Sequence, residues 1–466
     1  MITRREFMMG TGASALGLLG VAGPRAAMAE GSGPPILRAR EVPVRLLPDD
    51  YPETRLWSFA DATPGQTLRL KQGARLVRRL VNDLPAATSV HWHGIRIDNA
   101  MDGVAGLTQD PVEPGGSFDY DFVLPDAGTW WYHAHTRSHE QVARGLYGAL
   151  IVDEAEPPEV DRDEVLVLDD WRLNPRDGQI DPDFANMHDL SHGGRLGNFV
   201  TTNGRHDLTL EVRRHERLRL RLINAANARI FVLALAGLDG WIMAHDGMPL
   251  PRPEPVGNVV ILAPAQRVDL IVDVVADEGE SAHVVRIERN DGFSQVELRV
   301  TGVESRARRS APGPLPQNPR MEVPGIEGAR RLRLVMEGGA MGRMDAAILD
   351  GRRQSFRDIA QAGRFWAFNG VVGMTEAPLA ELARGETARI EIVNDTVFPH
   401  AMHLHGMHVR EILPDGALGP LRDTILVSRG EIREIAFLAD NPGDWLLHCH
   451  MLAHAAAGMT TWLRVA

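Results

Sequence analysis

Three stretches of the chain repeat one pattern, and the repetition limits the possible fold more than any other feature. They are RLVRRLVNDLPAATSVHWHG from Arg75 to Gly94, RLRLRLINAANARIFVLAL from Arg217 to Leu235, and TARIEIVNDTVFPHAMHLHG from Thr387 to Gly406. Each opens with apolar and polar residues in alternation, the period of a half-buried strand, and runs into Val-Asn or Ile-Asn before a turn. Asn82 precedes His91 by nine residues and Asn394 precedes His403 by nine, whereas nine after Asn224 stands Leu233. A second echo, AGTWWYHAH ending at His135 and PGDWLLHCH ending at His450, links the outer units only. A repeat on this scale marks a repeated structural unit, and a chain of 466 residues exceeds the roughly 250 to 300 that one core holds. The reading is three β-rich domains, at 37–155, 160–305 and 325–466. Proline-rich joins lie around Pro157 and Pro314, and the short strands between turn signals suggest Greek-key barrels or sandwiches.

A formal charge of -12 argues against a nucleic-acid partner, which calls for a basic face. Hydrophobic residues at 44% and charged residues at 24% suffice for packed cores. At the N-terminus Arg4 and Arg5 precede a Gly/Ala-rich apolar run that ends in Ala27-Met28-Ala29, the form of an export signal over residues 1–29. The run is too short and glycine-rich to span a bilayer, so no membrane attachment is expected after its removal. Thr3 to Phe7 resembles a twin-arginine signal, which makes the twin-arginine export machinery an expected partner and the periplasm or exterior the expected destination. Cys449 is the single cysteine, so no intrachain disulfide supports the fold.

Alternate side chains of a strand point to the same face. Each His-X-His therefore aims two imidazoles one way, and four such pairs occur: His91 with His93, His133 with His135, His403 with His405, and His448 with His450. One pair alone is common on surfaces. Four in matched positions of the outer repeats, with leucine in the middle repeat, point to metal. The same alternation turns Cys449 away from His448 and His450. On the thiol's side the candidates are His400, His454 and Met459. Two imidazoles, a thiolate and a distant thioether form the ligand set of a blue-copper site, where the metal keeps the thiol deprotonated.

On the motifs HWHG, HAH, HAMHLHG and HCHMLAHAAAGM the chain resembles the three-domain multicopper oxidases, the family of laccases, bilirubin oxidases and bacterial cuprous oxidases. The resemblance covers nearly the whole mature chain. It implies an all-β fold of three consecutive cupredoxin-like Greek-key β-barrel domains and four copper ions. By resemblance His400, Cys449, His454 and Met459 bind type 1 copper, and His91 with His403 bind type 2 copper. His93, His133 and His450 hold one type 3 copper, and His135, His405 and His448 the other. Electrons from a small-molecule donor pass through Cys449 to the cluster, where O2 is reduced to water. Asp102, nine residues after His93, matches the acid that many bacterial members use as a proton relay; the competing reading is a turn aspartate before Gly103. Ala455 stands where several relatives carry a second acid. A monomer is expected.

The resemblance leaves the donor open between phenol-like organic compounds and cuprous or other metal ions, with organic donors favoured. Thr396 stands four before His400, where cuprous oxidases have an acid, and LVMEGGAMGRM offers only Met336, Met341 and Met344. These, with Met402, Met407 and Met451, read as packing residues. A copper-free scaffold is disfavoured because every ligand position is filled. His139 and His408 read as surface histidines or as neighbours of the ligands. His188, His192, His206, His215, His245 and His283 follow no ligand pattern and are expected to be exposed or hydrogen-bonded.

Overall fold

The computed structural model describes residues 33–466; the predicted leader, 1–29, lies outside them. Pro35–Ala466 packs as one compact unit made mostly of strands. The first pair of four-stranded sheets uses strands between Ile36 and Asp153. A six-stranded and a five-stranded sheet follow between Arg162 and Val303, and another six- and five-stranded pair between Arg330 and Val465, with the hairpin Ala346–Leu349 and Arg352–Ser355 beside it. No sheet takes strands from two of these stretches. The fold is all-β, three consecutive cupredoxin-like barrels, each with its own apolar core.

The repeats have a common topology. Each repeat strand, Arg75–Asn82, Arg217–Asn224 or Glu386–Asn394, pairs in parallel with the first strand of its barrel and antiparallel with a later one. The asparagine that closes it has the same task each time. The side-chain oxygens of Asn82, Asn224 and Asn394 accept from the backbone N–H two residues on, at Leu84, Ala226 and Thr396. Their amides donate to a carbonyl of the following turn (Ala86, Arg229, Phe398) and to one on a further segment (Val112, Leu262, Val427). A buried amide so placed satisfies the turn's polar groups where water is excluded, which accounts for the shared Val-Asn or Ile-Asn signature.

The middle repeat departs from its expected half-burial. Every residue of Arg217–Asn224 is buried. Leu218, Leu220 and Leu222 face the middle core, while Arg217, Arg219 and Arg221 pair with acids. Arg217 takes Asp273, Arg219 takes Glu154 and Asp269, and Arg221 takes Asp163. The polar half of the alternation meets another layer of protein because Arg219 and Arg221 also reach the first barrel, at Glu154 and at the Thr129 hydroxyl. Buried guanidinium groups need such complete pairing. An apolar cluster that includes Trp131, Tyr147, Trp171 and Ile223 fills the same joint.

Candidate metal centre

The strand Gly443–Cys449 lies between His400–Leu404 and Thr460–Val465, with Met402 opposite Cys449 and His403 opposite His448. Its alternation sends neighbouring side chains to different pockets. Cys449 Sγ lies 3.6 Å from His400 Nδ1 and 3.7 Å from His454 Nδ1, and all three residues are fully buried. The short helix Leu452–Ala456 folds His454 back toward the thiol. Met459 is buried beside them, its carbonyl accepting from the Cys449 N–H at 3.1 Å. Thr396, where an acid was the alternative, accepts from His400 Nε2–H at 2.8 Å.

On the other face, histidines of the first and last barrels converge. His91 sits opposite His133 across the strands Val90–His93 and Gly128–Ala134. The ring of His91 stacks on His405 at 3.9 Å between centroids, and that of His93 on His403 at 3.7 Å. His450 Nε2 approaches His133 Nε2 at 3.4 Å, and His405 Nε2 approaches His448 Nε2 at 3.2 Å. His135 completes the ring of eight, within 5.5 Å of His448 by centroid. The groups able to share an ion include His91, His93 and His133; His135, His405 and His448; and His400, Cys449 and His454.

Asp102 fills both readings given to it. Gly103 has φ +85 and a Cβ there would meet Val90 O at 1.8 Å, so the pair is a tight turn. The buried Asp102 carboxylate also accepts from His405 Nδ1–H at 2.9 Å and lies 3.2 Å from His91 Nδ1. Two further residues were not singled out in the sequence. Asp423 accepts from His93 Nε2–H at 3.1 Å, and its carbonyl accepts from His403 Nδ1–H at 2.9 Å. Arg267 of the middle barrel clamps Asp423 at 2.9 and 2.6 Å, and donates also to Thr129 O of the first barrel and Asp246 O. Neither carries a local signal: Asp423 sits between the strands Leu418–Arg422 and Thr424–Val427, and Arg267 opens a strand, Arg267–Val274, that also holds Asp269 and Asp273.

Against known proteins, one family model described as multicopper oxidase matches residues 43–157 and a second, of the same description, matches 352–466. Multicopper oxidase MmcO of Mycobacterium tuberculosis is 30% identical over 441 residues, covering 87% of this chain and 82% of the relative. The chain belongs to the multicopper oxidase family. Copper resistance protein A of Pseudomonas syringae pv. tomato is 26% identical, with 86% of this chain and 88% of that protein covered. Among crystal structures, a multicopper oxidase from Pseudomonas thermotolerans superposes with TM-score 0.80 at 31% identity, covering 92% of this chain and 98% of that one. Lac15 from a marine microbial metagenome is 42% identical with TM-score 0.75, covering 93% and 100%. The protein is thus an oxidoreductase that uses O2, with copper as its cofactor.

The pockets of this multicopper oxidase fit cations on their own chemistry. His91, His403, His133 and His448 each donate Nδ1–H to a backbone carbonyl, of Asp102, Asp423, Ala134 and Cys449. An imidazole that donates from one nitrogen presents a bare lone pair at the other. The Nε2 atoms of His91, His403 and His135 are buried without any hydrogen-bond partner. Where two bare nitrogens face each other, as at His405 and His448 or at His400 and His454 Nδ1 (3.1 Å), only a cation between them turns repulsion into attraction. Burial, and then neighbouring imidazoles, hold His93, His403 and His405 well below the usual histidine range, so they stand neutral and able to ligate.

Two other histidines differ from their sequence reading or extend it. His408 is not at the surface: it is buried against Trp130, with neither ring nitrogen bonded. His139 is pushed down to about 4 by burial and joins none of the ion-sharing groups among the described residues.

Proposed function

We propose that this protein is an exported four-copper oxidase that takes single electrons from a small reductant and reduces O2 to water. In this reading His400, Cys449, His454 and Met459 hold type 1 copper, His91 and His403 type 2 copper, and His93, His133, His450 with His135, His405, His448 the two type 3 coppers. The barrels span 37–155, 160–305 and 325–466, and the leader directs the folded protein to the periplasm or beyond, where it acts as a monomer. The observation that carries the reading is the run His448-Cys449-His450 at the end of the strand Gly443–Cys449: its thiol and its flanking imidazoles, on three consecutive residues, enter different pockets.

Bound there, copper supplies one-electron oxidation of the donor and four-electron reduction of O2. The chain supplies the rest. Cys449 provides a covalent route from its sulfur through the backbone to both imidazoles. Asp102 holds His405 in the tautomer that presents Nε2 inward, and its second oxygen, 3.2 Å from His91 Nδ1, stands where a proton relay to the cluster is needed for water formation. With Ala455 in place of a second acid, Asp102 is the relay the reading relies on. Asp423 and Arg267 orient His93 from outside.

Phenol-like organic donors and cuprous ion both suit such an oxidase. The cover over His454 favours the ion. His454 is fully buried and its Nε2–H donates to His192 O at 2.6 Å, so no ligand edge is open to a planar organic molecule. Oxygen uptake with cuprous ion and with 2,6-dimethoxyphenol tests the reading: uptake with water as product is expected, with cuprous ion preferred. No uptake with either donor by the copper-loaded protein would reject the oxidase, and a strong preference for the phenol would restore the organic donor.

A further inference from the structure

We propose that Asp246, at the tip of a hairpin of the middle barrel, is a positioning residue that responds to pH: by gaining or losing a proton it sets how firmly His93 holds its copper, acting through Arg267 and Asp423. The inference rests on the reading above that His93 is a copper ligand.

The strands Leu238–His245 and Met248–Pro255 are joined by Asp246 and Gly247, with His245 opposite Met248. Both turn residues have positive φ, +48 and +78, as in the two-residue turn that Asp-Gly favours. The tip is wedged against the first barrel, where a Cβ on Gly247 would meet the Trp130 ring at 2.6 Å. Asp246 is fully buried there, beside the Arg267 that touches all three barrels.

Its carboxyl is poorly served. Oδ1 accepts from the Arg267 backbone N–H at 2.9 Å, and Oδ2 is buried without a partner. The guanidinium has nothing left to give. Arg267 Nε donates to Thr129 O, Nη1 to Ala265 O and Asp423 Oδ1, and Nη2 to Asp246 O and Asp423 Oδ2, which uses all of the N–H groups of an arginine side chain. One buried cation thus stands between two buried carboxyls and bonds the carboxyl oxygens of Asp423 alone. An ionised carboxylate oxygen left dry and without a donor is costly, and protonation removes the charge. Burial, and then Asp423, push the Asp246 carboxyl up to about 6 against the pull of Arg267 and Arg422. His245 on the same hairpin is kept neutral by burial, and the first barrel presents Gly128 and Trp130, neither charged, to the tip.

The effect reaches His93 through the balance of charge. Asp423 accepts from His93 Nε2–H at 3.1 Å. With Asp246 neutral, the positive charge of Arg267 is set against Asp423 alone. With Asp246 ionised, a second negative charge 3.9 Å from Arg267 Nη1 takes a share, and Asp423 pulls harder on the His93 proton. Charges couple strongly in so dry a site, and an imidazole whose N–H is pulled harder is a more basic ligand. His93 therefore holds its ion more firmly above about pH 6 than below it. The proton that Asp246 gains or loses is exchanged with solvent water, and no electron moves.

The test follows the carboxyl and the copper separately. Infrared difference spectra of the purified protein should show the carbonyl stretch of a protonated carboxyl disappearing between about pH 5 and pH 7, and Asp246→Asn should lack that change. Asparagine suits the positive φ and keeps an oxygen for the Arg267 N–H, so the turn is retained. In the copper-loaded protein the variant imitates the neutral acid at every pH. At about pH 8 it should give up the cluster's copper to a chelator about tenfold more readily than wild type, whereas at about pH 5 the two should be alike, with the blue band equal throughout. Asp163→Asn, which breaks pairs of Arg221 and Arg69 instead, should follow wild type at both pH values. A carboxyl band unchanged by Asp246→Asn, or a difference in copper retention of the same size at both pH values, would overturn the proposal and leave the oxidase reading standing. A wild type that takes up no copper would instead sink the oxidase reading, and the infrared titration would still decide for Asp246.

Discussion

Cys449 is placed where its own ionisation is unfavourable, since burial pushes the thiol up to about 12. It becomes a thiolate through a cation held at His400 and His454, not through basic neighbours. Met459 is buried beside Cys449, and in the proposed type 1 site its thioether would tune the potential differently from a side chain that cannot coordinate. Met459→Leu should raise the reduction potential, and a redox titration showing no change or a fall would remove the methionine from the site. The Asp102 carboxylate touches His91 and His405, on the opposite side of the strand from Cys449. Asp102→Ala should slow oxygen reduction about tenfold to a hundredfold, the usual cost of losing a partner of a ligand, and leave the blue absorption unaltered. At this scale the histidines were legible because a period of two is a local property of strands. Asp423 and Arg267 were not. They are 156 residues apart in the chain, and nothing local to either says that they meet behind His93.

The repeated strand with its closing asparagine was legible as a pattern before its physics was. The alternation in Arg217–Asn224 predicts one wet face, but the strand is buried on both, because a neighbouring barrel covers its arginines and sequence periodicity does not report what lies beyond a face. The asparagines make a sharper comparison. Asn224→Ala and Asn394→Ala each remove a buried amide that satisfies three backbone groups or more, and each should cost about 2 to 4 kcal/mol by leaving several of them unpaired. Only the second also loosens Thr396, whose hydroxyl donates to Asn394 Oδ1 and accepts from His400. Thermal unfolding should therefore shift in both, whereas the blue band should weaken in Asn394→Ala alone. A band equally affected in both variants would show that the turn does not govern His400.

Across the whole molecule the middle barrel ties the other two together. Arg267 touches first, middle and last barrels at once, and Arg69 of the first reaches Asp163 of the middle. The number of barrels was readable from the repeat; this role of the middle one was not, because it resides in contacts between barrels. Burial pushes the Asp163 carboxyl up, but Arg221 and Arg69 overcome it and hold it down at about 2, against an ordinary 3.8. A group with a depressed folded value stabilises above its unfolded value, and that stabilisation is lost as pH falls through the folded one. Asp163→Asn should thus lower Tm at neutral pH, and the gap from wild type should close between about pH 4 and pH 2. A gap constant across that window would contradict the pairing.

The central claim is that one strand serves two pockets, sulfur on one side and imidazole on the other. Copper content measured beside the visible spectrum, for wild type and for Cys449→Ser, tests it most directly. Four coppers with an intense red-absorbing band are predicted for wild type, and three coppers with no band for the variant. A variant that keeps the band, or that loses the cluster's copper together with the blue site's, would contradict the account.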